Sequence, residues 1–184
     1  MNNFFADAFY WIALCHCRDR WHSRVQAFSR TLRDYHLCTT EEVLTEFLSF
    51  FSDSSPHTRR QAARFARSVL SDANVMVIPQ THDAFMNGLE LYESRLDKHY
   101  SLTDCNSMQT MERLGLTDVL TNDHHFTQEG FRILFQCISD FSVPSFQLGV
   151  MRVSTPYTVI AICSQGVISF PHFLSTLTSS IKMS

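Results

Sequence analysis

Four short apolar runs, each separated from the next by two stretches with helical spacing, most constrain how this chain can fold. The runs cover residues 3–6, 36–40, 74–79 and 117–121. Strands that alternate with helical segments need long crossover connections, and such connections favour a parallel sheet with helices on its faces. We therefore predict an α/β fold, a three-layer α/β/α sandwich around a central, mainly parallel sheet. The predicted helices cover residues 8–15, 18–35, 41–51, 58–70, 81–96 and 102–114.

The sequence changes character after a fifth apolar run at residues 130–135, which is a candidate edge strand. From residue 141 to the end, Arg152 and Lys182 are the only charged side chains. Polar and helix-breaking residues interrupt the apolar stretches there, so a membrane-spanning helix is not expected. We predict two units: a domain over residues 1–136 and an atypical, apolar C-terminal extension over residues 137–184, whose role the sequence does not indicate.

Composition limits the possible functions only coarsely. A chain of 184 residues can bury the core of one domain. Its net charge of −3 argues against a general nucleic-acid coat but allows a local basic strip. Cys15 and Cys17, with His16 and His22 nearby, have a spacing that could ligate zinc, but no second pair follows at zinc-finger spacing. Buried, reduced thiols are therefore the favoured interpretation, which suits a cytoplasmic protein.

Two aspartates follow predicted strands. Asp7 comes directly after the run 3–6 and before a helix, and Asp123 comes two residues after the run 117–121. Ligands and metals collect at the carboxyl ends of the strands in open α/β sheets. Asp7 would also suit the N-cap of the next helix, and its position alone does not decide between the two roles.

Two further acids occupy helices. Glu46 lies among apolar neighbours in the helix 41–51, where a solvated glutamate is the simpler interpretation, and Asp104 lies in the first turn of the helix 102–114. Ser101 and Thr103 flank Asp104 and are candidates for capping and for hydrogen bonds to the waters of a metal. If all four acids converge, like charges raise their pKa values, and a hard divalent cation resolves the repulsion.

A basic stripe marks the helix 58–70. Arg60, Arg64 and Arg67 share one helical face and could hold a phosphate backbone, although a solvated face paired with acids elsewhere is an equal alternative. Tyr100 and Phe126 are candidates for stacking on a base, with core packing the favoured use of Phe126.

The acids and their surroundings resemble the PIN-domain nucleases, in particular the VapC-like toxins of type II toxin–antitoxin pairs. The resemblance covers residues 2–136, and its order and approximate spacing are those of the family. It rests on FFADAFYWIAL with Asp7, LCTTEEVLTEFLSFF with Glu46, YSLTDCNSMQTMERLG with Asp104, VLTNDHHFTQEGFRIL with Asp123, and DRWHSRVQAF between the first two. The extension after the last of these has no counterpart in the family.

The resemblance implies an endoribonuclease that depends on Mg²⁺ or Mn²⁺, with Asp7, Glu46, Asp104 and Asp123 as catalytic residues and metal ligands. It also implies an RNA substrate, a cognate antitoxin protein, a homodimer, a cytoplasmic location and no membrane partner. Whether one or two ions bind stays open. Two alternatives remain: an RNA-processing nuclease outside a toxin pair, and a non-catalytic module that binds RNA or a partner.

Overall fold

A five-stranded sheet in which every pair of neighbouring strands is parallel forms the centre of the fold. The computed structural model describes residues 2–136; the predicted extension and the predicted boundary before it lie outside the described residues. Strand order is β3-β2-β1-β4-β5, so β1 is central. The strands are β1 (Asn2–Ala6), β2 (Tyr35–Thr40), β3 (Val75–Ile78), β4 (Asp118–Leu120) and β5 (Arg132–Ile133). The predicted parallel α/β architecture is confirmed.

Helices connect the strands in the predicted order. They are α1 (Ala8–Cys15), α2 (His22–Thr31), α3 (Glu41–Phe50), α4 (Pro56–Ser71), α5 (His82–Ser94), α6 (Leu102–Leu114) and the one-turn α7 (His125–Gln128). α1 and α6 have the predicted bounds, and α6 ends at Gly115, whose φ of 65° is left-handed. Within residues 2–136, no helix combines the length and apolarity needed to cross a bilayer.

The hydrophobic core surrounds the central strand and the helix that follows it. Phe5 and Ala6 of β1 are completely buried, as is Ala13 of α1, while Trp11 is almost so. Buried aromatic rings make edge contacts, such as Trp11 with Phe65 of α4 at 6.2 Å between ring centroids. Because β1 is covered on both faces, its sequence reads as a continuous apolar run rather than an alternating one.

Two elements differ most from their predicted bounds. The helix predicted at residues 18–35 is only α2, because Asp19 accepts a hydrogen bond from the Trp21 backbone before it and Tyr35 begins β2 after it. Asp34, with a positive φ of 48°, separates the helix from that strand. The fifth strand, predicted at 130–135, shortens to the two residues of β5.

The caps of α3 and the face of α5 also differ from the prediction. The pair Thr39 and Glu42 predicts a capping box, but Thr40 is the N-cap and its hydroxyl accepts from the Val43 amide. The hydroxyl of Thr39 points inwards instead and donates to the Ala6 carbonyl. The apolar residues Phe85, Leu89 and Leu96 are spaced to share one face of the predicted helix 81–96, but α5 ends at Ser94 and leaves Leu96 beyond it, 83% exposed, while Phe85 is 39% exposed.

A glycine brings α5 against α6. Gly88 is the only buried residue of α5, and a Cβ placed on it would lie 1.7 Å from Oδ1 of Asn106 on α6. Asn106 itself is buried, and within residues 2–136 its Oδ1 has no hydrogen-bond partner. The close approach of α5 and α6 therefore depends on the absence of a side chain at Gly88.

Substitution of Gly88 by alanine should destabilise the protein despite the higher helix propensity of alanine. The added methyl must displace the buried Asn106 amide, so we expect a loss of about 1–3 kcal/mol in the free energy of unfolding. Asn87→Ala on the exposed side of the same helix is the matched control and should be neutral or slightly stabilising. Urea denaturation of both variants measures the difference, and equal stabilities would contradict the tight contact.

Candidate functional site

The register of two neighbouring strands places Asp7 next to Thr121. In the parallel pair β1 and β4, Ala6 is opposite Leu120, so the next residue of each strand lies at the same carboxyl edge of the sheet. The Thr121 hydroxyl donates to Oδ2 of Asp7 at 2.8 Å and accepts from the Asp123 amide at 3.2 Å. One hydroxyl thus ties two of the predicted acids together. The chain leaves β1 towards β2 on one side and returns as β4 on the other, which is a topological switch point.

Asp7 carries a strongly perturbed carboxyl group. Burial raises its pKa from 3.8 to about 7, the hydrogen bond from Thr121 lowers it, and the charges of Asp104 and Glu46 raise it further. Its side chain makes no capping hydrogen bond to α1, although it occupies the N-cap position. The N-cap position allowed by the sequence is therefore confirmed, whereas the site role of this carboxylate stays a prediction.

Asp104 is fixed by the start of α6. Ser101 is the N-cap: its hydroxyl accepts from the Asp104 amide at 3.0 Å, and Oδ2 of Asp104 accepts from the Ser101 amide at 2.8 Å. This reciprocal capping box confirms the predicted capping role of Ser101. Burial raises the pKa of Asp104, the bonds from Ser101 lower it, and the charge of Asp123 raises it.

Asp123 is held by the residues that follow it. Its Oδ1 accepts from the His125 amide at 2.9 Å, and its Oδ2 lies 3.3 Å from Nδ1 of the His125 ring. The same Nδ1 is 4.0 Å from Oδ2 of Asp104, so the imidazole lies beside both carboxylates. Nδ1 is buried and makes no hydrogen bond of good geometry within residues 2–136.

Glu46 approaches the group from α3 and is the most exposed of the four acids. Partial burial raises its pKa, a hydrogen bond from Thr103 lowers it, and the charges of Asp104 and Asp123 raise it again. Thr103 therefore contacts an acid directly, while the role predicted for it towards metal-bound waters stays a prediction.

All four predicted acids lie near one another at the carboxyl edge of the sheet, since each is within electrostatic range of at least two others. Within residues 2–136, only Asp104, Asp123 and His125 place one ligand atom each within 4.8 Å of one another. Carboxylate oxygens are hard donors that suit Mg²⁺ or Mn²⁺, while the imidazole is a softer donor that suits transition metals better than Mg²⁺. The residues present therefore fit a divalent cation, and the assignment of Asp7 and Glu46 as ligands stays a prediction.

His125 is the site residue that sequence reasoning missed. Its ring packs edge-on against Tyr100 at 5.2 Å, and the Tyr100 hydroxyl donates to Oε1 of Glu129 at 3.0 Å. Arg95 donates two further hydrogen bonds to Glu129, so Arg95, Glu129 and Tyr100 form a connected brace beside the His125 ring. Because Tyr100 is only 4% exposed and occupied in this way, it is not the base-stacking platform suggested by the sequence. Phe126 is completely buried and belongs to the core.

The predicted arginine stripe is exposed on α4. Arg60 lines a groove of about 670 Å³ between α3 and α4. Thr45 and Ser49 line this groove and also a second cavity that contains Glu46, so the two depressions meet across the exposed ridge of α3. Arg64 and Arg67 lie on the same helix outside the groove lining, and no ion pair engages any of the three within the described part of the chain.

The thiols match the sequence interpretation with one exception. Cys15, Cys38 and Cys105 are at least partly buried, and burial raises the pKa of each to about 11, which keeps them protonated. Cys17 is exposed, because it falls in the loop after α1. The cysteines at 137 and 163 lie outside the described residues.

The fold and the site define a class: a parallel α/β protein whose acidic side chains meet beyond the carboxyl ends of β1 and β4. The family comparison identifies it further, because the model of the PIN domain matches residues 4–131. The chain belongs to the PIN-domain family. No curated protein is significantly similar to it in sequence.

Two solved structures have a similar fold. VapC20 of Mycobacterium tuberculosis, described as a sarcin-ricin loop cleaving toxin, aligns with a TM-score of 0.63 at 22% identity, over 70% of this chain and 96% of that one. VapBC2 of Rickettsia felis, solved bound to a DNA fragment from their promoter, aligns with a TM-score of 0.51 at 11% identity, over 72% of this chain and 97% of that one.

The raised pKa of Asp7 predicts how stability depends on pH without a divalent cation. Between pH 3.8 and about 7 the folded protein holds a proton on Asp7 that the unfolded chain has lost, so stability falls as pH rises through this range. Asp7→Asn removes the buried charge and keeps an acceptor for Thr121. At about pH 8 in a chelator, we expect the variant to be more stable than the wild type by roughly 2–4 kcal/mol.

Denaturation with urea at about pH 4, 6 and 8 measures the difference in the free energy of unfolding between Asp7→Asn and the wild type. This difference should shrink as the pH falls. Asp83→Asn, on an exposed acid of α5, is the control and should show no such trend. Added Mg²⁺ should stabilise the wild type more than Asp7→Asn. A variant less stable than the wild type at every pH would contradict the strain assigned to this carboxylate.

Proposed function

We propose that this protein is a metal-dependent endoribonuclease that cleaves RNA phosphodiester bonds and acts as the toxin of a toxin–antitoxin pair. The observation that carries the proposal is the meeting of four carboxylates from distant parts of the chain. Within residues 2–136, no lysine or arginine pairs with any of the four carboxylates, which suits a site built to receive a cation.

A divalent cation bound by Asp104, Asp123, Asp7 and Glu46 would supply Lewis-acid activation of water and charge neutralisation at the phosphate. The chain's own residues provide the positioning. The capping box fixes the Asp104 carboxylate, and the Thr121 hydroxyl fixes Asp7 relative to the Asp123 backbone. The imidazole of His125, held beside two of the acids, is placed to order that side of the cleft.

The path of the RNA strand follows from charge. Arg60 in the α3–α4 groove, with Arg64 and Arg67 along the same helix, offers a cationic track that leads past Thr45 and Ser49 towards Glu46. Phosphates bound along this track would compensate the repulsion that the acid cluster exerts on an anionic strand. Ser101 and Thr103, which hydrogen-bond to Asp104 and Glu46 respectively, would contact the substrate in this proposal.

A cognate antitoxin, a homodimer and a cytoplasmic location belong to this proposal. The likeness of the fold to VapC20, described as a toxin, and to VapBC2 supports the toxin role. A gene for a small DNA-binding protein directly upstream would support this role over that of a processing nuclease. Retention of RNA without cleavage in Mg²⁺ or Mn²⁺ would instead favour a non-catalytic binding module.

Asp104→Asn tests the catalytic proposal. Loss of one carboxylate charge should lower metal-dependent cleavage of structured RNA by at least about a hundredfold, since second-sphere and ligand changes at such sites cost on this scale. Asparagine keeps an oxygen for the Ser101 cap, so the fold should persist by circular dichroism. Asp83→Asn, a first-turn acid of α5, is the matched control and should cleave like the wild type. Undiminished cleavage by Asp104→Asn would show that the site is misassigned.

The arginine stripe predicts a change in RNA affinity rather than in chemistry. A triple variant of Arg60, Arg64 and Arg67 to glutamine should bind RNA more weakly and reduce the slope of log affinity against log salt by about two to three. The control carries the same charge change at Arg18, Arg30 and Arg33, which lie at and around α2. Equal losses in both triples, measured by filter binding to catalytically inactive protein, would reduce the effect to net charge and contradict a defined track.

A further inference from the structure

The imidazole of His125 faces the acid cluster with a ring nitrogen that makes no hydrogen bond within residues 2–136. This atom, Nδ1, is buried and lies 3.3 Å from Oδ2 of Asp123 and 4.0 Å from Oδ2 of Asp104. The three side chains come from α7, from the loop after β4 and from α6. A nitrogen ligand is therefore present in a site otherwise made of carboxylate oxygens.

The contacts of Nδ1 do not fit a simple ion pair. A protonated imidazole that donates to a carboxylate forms an N–H···O contact of about 2.7–2.9 Å. Nδ1 is 3.3 Å from its nearer carboxylate oxygen, and neither of its two contacts has the geometry of a hydrogen bond. Without a proton, its lone pair lies among oxygen lone pairs and is repelled by them. A cation that accepts all of these lone pairs removes the repulsion.

The spacing of these atoms suits ligands that share one ion. Ligand atoms about 2.1 Å from an octahedral ion are about 3.0 Å apart when adjacent and about 4.2 Å apart when opposite. The separations of 3.3 Å and 4.0 Å from Nδ1 lie within this range. One ligand atom from each of Asp104, Asp123 and His125 lies within 4.8 Å of the other two.

The surrounding contacts hold the imidazole in place before any ion binds. The His125 amide donates to Oδ1 of Asp123 at 2.9 Å, which leaves Oδ2 of that carboxylate facing the ring. The ring packs edge-on against Tyr100, whose hydroxyl donates to Glu129. A ligand that is already positioned loses little conformational freedom on binding, so the brace favours coordination.

We propose that His125 is a direct metal ligand that makes this site select Mn²⁺ over Mg²⁺, an inference that rests on the proposed function. Imidazole suits transition metals, whereas Mg²⁺ prefers oxygen ligands and retains several of its waters. Carboxylates alone bind both ions through the same hard oxygens. The acids therefore supply the charge that attracts a divalent cation, and His125 decides which of the two ions is bound more tightly.

Electron spin echo spectroscopy of Mn²⁺ bound to the full chain tests the ligand without an assay of cleavage. A directly bound imidazole nitrogen couples to the electron spin of Mn²⁺, so the wild type should show nitrogen modulation. His125→Asn offers an oxygen in place of the nitrogen and should lose most of this modulation. His124→Asn, the same change at the exposed neighbouring residue, is the matched control and should keep it. Bound Mn²⁺ without nitrogen modulation in the wild type would overturn the proposal, and this result needs no variant to fold.

Calorimetric titration with Mn²⁺ and with Mg²⁺ measures the selectivity. The wild type should bind Mn²⁺ at least about tenfold more tightly than Mg²⁺. In His125→Asn the ratio of the two affinities should fall to within about threefold, mainly through weaker binding of Mn²⁺, because changes around a metal site cost about 10- to 100-fold in affinity. His124→Asn should keep the ratio of the wild type. An unchanged ratio in folded His125→Asn would contradict the role of the imidazole.

The two measurements separate failure of this ligand from failure of the proposed catalysis. Nitrogen modulation and selective Mn²⁺ binding in a protein that does not cleave RNA would support the ligand and contradict the nuclease. Cleavage of RNA in Mn²⁺ without nitrogen modulation would support the nuclease and overturn the ligand.

Discussion

The hydroxyl of Thr121 is the interaction on which the arrangement of the site depends. It donates to the carboxylate at the end of β1 and accepts from the backbone two residues after it, beyond the end of β4. Parallel pairing of Ala6 with Leu120 brings the two strand ends level, so a short side chain can span them. The sheet register and one hydrogen bond thereby bring Asp7 and Thr121, which are more than a hundred residues apart in sequence, into a single cleft.

Electrostatic strain accompanies this geometry. Burial and the nearby like charges raise the pKa values of the carboxyl groups of Asp7, Asp104 and Glu46 above their values in water. Such strain lowers the stability of the metal-free fold and is tolerated because the core beneath it is extensive and aromatic. The hydrogen bonds from Thr121, Ser101 and Thr103 act in the opposite direction, since each favours the charged form of one acid. The site is therefore poised between burial, which disfavours charge, and local donors, which retain it.

Sequence reasoning predicted the architecture because it depends on strong local signals. The four acids were joined into one site only by the resemblance to the PIN-domain family, because Asp7 alone could cap a helix and Glu46 alone could be solvated. Alternating apolar runs and helical patterns indicated the parallel sheet, and the serine three residues before Asp104 indicated a helix start. His125 was missed since its role depends on the brace formed by Tyr100, Glu129 and Arg95, which only tertiary contacts bring together. The same limit applies to α5, whose apolar spacing predicted a buried face, whereas a glycine and the neighbouring α6 decide what is buried. The pairing of Thr39 with Ala6 could not be read either, because a capping-box pattern at that position fitted the local sequence equally well.

The capping box of α6 couples the first turn of this helix to the acid cluster, because Asp104 belongs to both. The first turn of a helix is ordinarily where local opening costs least. Here the same Asp104 oxygen that accepts the Ser101 amide also faces His125 and the neighbouring acids. Fraying of that turn would release the carboxylate and loosen its neighbours, so whatever binds in the cleft also fastens the helix. Amide hydrogens at residues 101 to 104 thus become natural reporters of occupancy, and slow exchange there would signal a filled site without any assay of turnover.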